Sequence, residues 1–107
     1  FEPANLSKFA FQLPDQPSIA VMPFNNLSGD PAKDYIGDGL TENIITLLSS
    51  SSSLVVTPSN ASFRFKGKAT SVQEIAEQLG VRYVLEGSVQ QSGDKLRVTA
   101  QIVTKIF

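Results

Sequence analysis

The sequence predicts a single α/β domain of the α+β kind, with chain order β-α-β-α-β-β, a mixed four-stranded sheet and two helices packed on one face. Three observations lead there. Short apolar runs at 18–24 and 54–58 enclose a stretch of helical periodicity, a second helix is signalled at both ends, and the last third of the chain reads as a hairpin. A length of 107 residues suits one small domain, and 41% hydrophobic residues are enough for a modest core.

Residues 1–17 read as a linker, because Pro3, Pro14 and Pro17 interrupt any helix or strand period. Phe1, Phe9, Phe11 and Leu13 give that linker apolar surface to lay on the domain or a neighbour. Its start lacks the basic-then-apolar order of a signal peptide, and no apolar run approaches the roughly 20 residues that span a bilayer. The domain proper is expected over 18–107, cut short at its C-terminal end.

"SIAVMPF", Ser18 to Phe24, suits a central strand buried on both faces and closed by Pro23. After the turn "NNLSGDPAK", Ile36, Leu40, Ile44, Leu47 and Leu48 recur at helical spacing. Asp30 and Pro31 suit a cap and a first helical position, whereas Gly37 and Gly39 each weaken the early turns by about 1 kcal/mol relative to Ala, so the helix should begin late. The serines at 49–53 form a solvated connector. "LVVTP", Leu54 to Pro58, is the second strand, and a helix between two apolar strands implies a right-handed crossover with parallel pairing.

"SFRFKGK", Ser62 to Lys68, is expected to be extended, with Phe63 and Phe65 anchored in the core and its cations in water. Ser71 with Glu74 forms a capping box, Val72, Ile75, Ala76 and Leu79 share a helix face, and Gly80 stops that helix. "VRYVLEGSVQQ" and "KLRVTAQIV" flank an "SGD" turn, the hairpin signal, and Leu85 is placed inside. In the final strand Leu96, Val98, Ala100 and Ile102 alternate with Lys95, Arg97, Thr99 and Gln101, which predicts one buried and one wet face on an outer antiparallel strand.

Absence of Cys and His excludes disulfides, thiol nucleophiles, imidazole bases and the usual zinc sites. Nine Lys+Arg against ten Asp+Glu argue against a nucleic-acid footprint and against attraction to anionic lipid. Arg64, Lys66 and Lys68 remain candidate contacts for an anion or a partner, with solvated cations as the favoured reading. "NLSGDPAKD" has neither the glycine spacing nor the Lys-Ser/Thr pair of a phosphate loop. Asp34, Asp38 and Glu42 are read as a solvated acidic helix face that gains from the helix dipole, not as a metal site. No catalytic, cofactor-binding or metal-binding residue is assigned, and no cofactor is expected. A ligand-edge loop is placed at the carboxyl edge of the parallel strands, with Asn25, Asn26 and Ser28 after the first and Ser59, Asn60 and Ser62 after the second.

Read as phrases, "PSIAVMPFNNLSGDPAKDYIGDGLTENIITLLS", "SNASFRFKGKA" and "LGVRYVLEGSVQQSGDKLRVTAQI" resemble the TolB-like N-terminal domain of bacterial multidomain signalling proteins over about residues 17–103. The closest likeness is to those linked to class III adenylate or guanylate cyclases with tetratricopeptide repeats. Two departures are the serine run and the stop at "TKIF". The resemblance implies a non-catalytic sensory or interaction module that couples an effector domain to a repeat domain, with any cyclase chemistry elsewhere in the parent. The alternative is a small-molecule-binding α/β domain with its pocket at the carboxyl edge. Expected partners are proteins or neighbouring domains, together with a homodimer through residues 95–107 or the apolar stretch 9–13; neither nucleic acid nor direct membrane contact is expected. A membrane span precedes such domains in several proteins, which leaves cytoplasm and periplasm both open.

Overall fold

The computed structural model describes residues 16–104. Strand β1 (Ser18–Val21) is followed by the two-residue strand β2 (Asn25–Asn26), a 3-10 turn at Pro31–Lys33, helix α1 (Asp34–Ser49), strand β3 (Val55–Val56), the short helix α2 (Ser59–Ser62), a 3-10 turn at Phe63–Phe65, helix α3 (Val72–Leu79), and the hairpin β4 (Tyr83–Ser92) and β5 (Lys95–Thr104). The mixed α/β class and the order of major elements are as the sequence predicts. The expected linker lies almost wholly outside the described residues.

In the sheet β3 pairs with β1, β1 with β4 and β4 with β5, the last pair antiparallel and the others parallel. Four lines of strand result, but five strands, because β2 also pairs with β4 and continues the line of β1. The register shows how: Val21 lies opposite Leu85 and Asn25 opposite Ser88, so the first line uses four residues where β4 uses three. The extra residue falls at Met22-Pro23-Phe24, a bulge where proline has no N–H for the ladder.

The two long helices lie on opposite faces, which corrects the expectation of one. Ala20, Met22 and Val84 pack with Ile75 and Ala76 of α3, while Val21 and Val89 pack with Ile45 of α1. Alternation along β1 sends neighbours to opposite sides, and a strand apolar on both sides requires cover on both. Connectivity gives the same answer. The chain steps from β1 outward to β3 and then back past β1 to β4, and two right-handed crossovers in opposite directions place their helices on opposite faces.

Helix starts follow the sequence closely. Asp30 accepts from the Ala32 N–H and caps the 3-10 turn, and α1 begins only at Asp34. Ser71 accepts from the Glu74 N–H at 3.2 Å, and Gly80 ends α3 at φ 67°. "SFRFKGK" departs from expectation: Phe63–Phe65 coil into a 3-10 turn instead of extending, with Lys66 and Lys68 N–H groups donating to the Phe63 and Phe65 carbonyls. Phe65 seated against the α3 cluster explains the coil, since the turn carries its ring back onto that core.

Strand β5 gives the largest difference. Leu96, Val98, Ala100 and Ile102, expected to be buried, are exposed, because α1 covers the sheet only as far as β4. Leu85, one line further in, is half-buried against Val21, Phe24, Ile45 and Val89. Leu85→Ala should therefore cost about 2 kcal/mol, the low end for a core leucine. A urea midpoint unchanged within error would show that this face of β4 is not packed.

Candidate functional site

Three of the phrases that carry the sequence resemblance converge on one residue. Phe24, 3% exposed, sits where the bulge turns the first line of the sheet, so its N–H has left the ladder. That N–H donates instead to Thr41 Oγ1 at 3.0 Å, and the Thr41 hydroxyl donates to the Gly37 carbonyl at 2.7 Å. Thr41 is fully buried, so the chain of bonds is sheltered from water. A Cβ on Gly37 would lie 2.7 Å from the Phe24 carbonyl oxygen. One on Gly87 would overlap both the Phe24 ring and the Thr99 carbonyl. "PF", "DGLTE" and "LEGSV" are thus three sides of a single packing knot, and their residues are occupied by structure. Thr41→Val keeps the shape but leaves the Phe24 N–H without its acceptor. It should cost about 1–3 kcal/mol, with Thr41→Ser recovering most of it, by chemical denaturation.

Beside the knot, at the carboxyl end of β1, opens a cleft of about 600 Å³. Its apolar floor is Met22, Phe65, Val72 and Ile75, and its rim carries Asn25, Asn26, Asp34, Asp38, Lys66, Lys68 and Glu86. Lys66 pairs with Asp38 Oδ2 at 2.6 Å, and with side chains 40% and 32% exposed the pair is worth roughly 0–1 kcal/mol. The other carboxylate oxygen, Asp38 Oδ1, is buried with no hydrogen-bond partner among the described residues. Asn26 donates to Asp34 Oδ1 and to the Asp30 carbonyl, both at 2.8 Å, and accepts from the Ser28 N–H, so it knits the "NLSGD" turn to α1 while itself lining the cleft.

The expected site residues divide. Asn25, Asn26, Lys66 and Lys68 line the cleft. Ser28 accepts from the Gln91 N–H at 2.8 Å and prolongs the pairing of β2 with β4. Ser59 and Asn60 sit on α2, Ser62 is fully buried with its hydroxyl donating to the Ser59 carbonyl, and none of the three lines the cleft. Arg64 also lies off the cleft, its Nε donating to the Ala61 carbonyl at 3.4 Å. Thr41 and Gly87 carry no role in the sequence reading, and Gly37 only that of weakening the first helix. The signal that could have found them is the glycine inside an otherwise well-patterned helix and strand, a mark of close backbone approach. Asp38, expected on a solvated helix face, instead pairs with Lys66, 28 residues along the chain.

Chemically the cleft can accept hydrogen bonds and hold an apolar body. Among the described residues no cluster of acidic side chains could hold a metal ion, and no helix is long and apolar enough to cross a membrane.

A family model described as the second domain of HilA/YgeH-like transcriptional regulators matches residues 15–105. A Rhizobium meliloti (strain 1021) protein named "Putative adenylate cyclase 3" is 52% identical over 92 residues, which are 86% of this chain and 16% of that protein. The chain therefore spans about a sixth of that relative's length. Among solved structures, lipoprotein GNA1162 from Neisseria meningitidis aligns over 81% of this chain and 68% of its own with a TM-score of 0.63 at 22% identity. TolB from Acinetobacter baumannii aligns over 83% of this chain and 20% of its own, with a TM-score of 0.55 and 25% identity. The C-terminal domain of LpoB from Escherichia coli aligns over 82% and 71%, with a TM-score of 0.58 at 16% identity. The fold is thus shared with TolB and with two other bacterial proteins.

Proposed function

This chain belongs to the family of HilA/YgeH-like second domains, and on that premise we propose that it is a non-catalytic regulatory module of a bacterial signalling protein, coupling an effector domain to a repeat domain. The effector is an adenylate or guanylate cyclase of class III, and the repeat domain is of the tetratricopeptide kind. One observation carries this reading: the same domain matches a family described by transcriptional regulation and a relative named for cyclase activity. A part common to two different outputs is not the part that performs either. The knot around Phe24 supports it as well, since the residues that give the domain its distinctive phrases are engaged in packing.

The test uses the full-length parent. Deleting the domain should leave turnover of nucleoside triphosphate intact while removing the response of that turnover to loss of the repeats. The isolated chain should form no cyclic nucleotide. Turnover by the chain alone, or inactivation of a still-folded cyclase domain by the deletion, would overturn the proposal.

A second reading, a small-molecule-binding domain, is favoured by Asp38 Oδ1, a buried acceptor without a partner among the described residues, at an apolar-floored cleft. A thermal-shift screen with nucleotides, sugars and peptides tests it, because a ligand that binds only the folded state raises the melting temperature saturably. That rise should vanish in Asp38→Asn.

A further inference from the structure

Strand β5 is paired with β4 along all ten of its residues, and its outer edge meets no other strand among the described residues. At about 3.4 Å per residue this is an open edge roughly 33 Å long. Edges of that length invite pairing unless charge, proline or a bulge blunts them. The face beside it is apolar. Leu96, Val98 and Ile102 are 53%, 47% and 61% exposed, with exposed Ala100 between them, and all four lie on the face that carries Leu85, Gly87 and Val89.

We propose that two copies of this chain join β5 to β5 in antiparallel register about a two-fold axis through Thr99, making one continuous sheet. The register follows from the side chains. Centring the axis on Thr99 sets Leu96 opposite Ile102 of the second copy and Val98 opposite its Ala100, so that every exposed apolar residue of the strand meets another. Arg97 then faces Gln101, Lys95 faces Val103, and Thr99 faces Thr99. Shifting the axis to Val98 leaves Ile102 opposite Asp94, shifting it to Arg97 opposes two arginines, and shifting it to Ala100 leaves Leu96 opposite Thr104. An axis just before or just after Thr99 sets Val98, Ala100 and Ile102 against polar residues.

Charge complements this register. Gln101 donates to Glu86 Oε2 at 3.1 Å across the β4–β5 pair. Arg97 of the second copy, opposite Gln101, becomes the next member of that row, so a carboxylate, an amide and a guanidinium succeed one another on the polar face. The two Arg97 residues are four residues apart along the strand, about 14 Å, beyond the Debye length of roughly 8 Å at physiological salt. Such an interface is independent of the module reading, since an edge pairs whatever its neighbours do.

The chain contains no cysteine, so a single introduced thiol reports cleanly. Sedimentation of the chain should give a dimer in the micromolar range. Under mild oxidation Thr99→Cys should cross-link nearly completely, whereas Gln90→Cys, exposed on β4 but away from the edge, should not. Val98→Lys should weaken the dimer at least tenfold with its far-ultraviolet circular dichroism unchanged. A monomer at high micromolar concentration overturns the proposal, and so does a dimer that cross-links no better at position 99 than at position 90. Loss of the dimer on removing residues 1–15, with no cross-linking at 99, would assign the contact to the apolar N-terminal segment and equally overturn it.

Discussion

Phe24→Ala is expected to remove about 3–5 kcal/mol of stability, a large part of the roughly 5–15 kcal/mol that holds a small domain together. The ring is 3% exposed and packs with Val21, Ile45 and Val89, which belong to β1, α1 and β4. Removing it therefore opens a cavity where three elements meet, and a bulge, a helix and a strand must all shift to close it. The sheet cannot easily do so. Its first line is already broken at Met22-Pro23-Phe24, and β2 beyond the break is held by two residue pairs with β4 and by the Leu27 and Gln91 N–H groups. Phe24→Leu should cost less than half as much, because it refills most of the volume. Urea denaturation of the three proteins measures this directly. Equal midpoints for wild type and Phe24→Ala would mean that the bulge, not the ring, organises this corner.

What the sequence discloses here depends on whether the determining partners are close along the chain. The α3 cap at Ser71, its stop at Gly80 and the hairpin at Gly93-Asp94 are local devices, and each lies where the pattern puts it. Helix layering is not local. Both helices have one apolar stripe, and only the order β3-β1-β4, which no periodicity contains, sends them to opposite faces. The alternation in β5 is equally real in the sequence, yet alternation states which residues share a face and says nothing about whether another element reaches it. For the cleft, the turn residues Asn25 and Asn26 were legible from their place after a strand. Asp38's place in the cleft is not legible that way, because its partner Lys66 lies 28 residues along the chain.

Gly87→Ala should prove comparably damaging, and its coupling to Phe24 can be read separately. Along β4 a side chain at this position would point to the face where the Phe24 ring lies, and its Cβ would overlap both ring carbons Cδ2 and Cε2 and the carbonyl oxygen of Thr99 on β5. Overpacking of this kind costs about 1–3 kcal/mol and occasionally more; two obstacles, one in the bulge and one on β5, place Gly87→Ala at the top of that range. One obstacle is a side chain and the other is backbone, which makes the cycle informative. In a Phe24→Ala background the ring is gone, so the added cost of Gly87→Ala should fall by about 0.5–3 kcal/mol, the usual coupling of contacting residues, without reaching zero because Thr99 remains. Gly37→Ala is the control. Its Cβ meets the Phe24 carbonyl oxygen at 2.7 Å, a backbone atom that Phe24→Ala retains, so its cost should be nearly the same in both backgrounds. Midpoints from chemical denaturation of the single and double variants give both couplings. Strict additivity for Gly87 with Phe24, or strong coupling for Gly37 with Phe24, would show that the knot is held by other contacts than the ring over Gly87 and the carbonyl over Gly37.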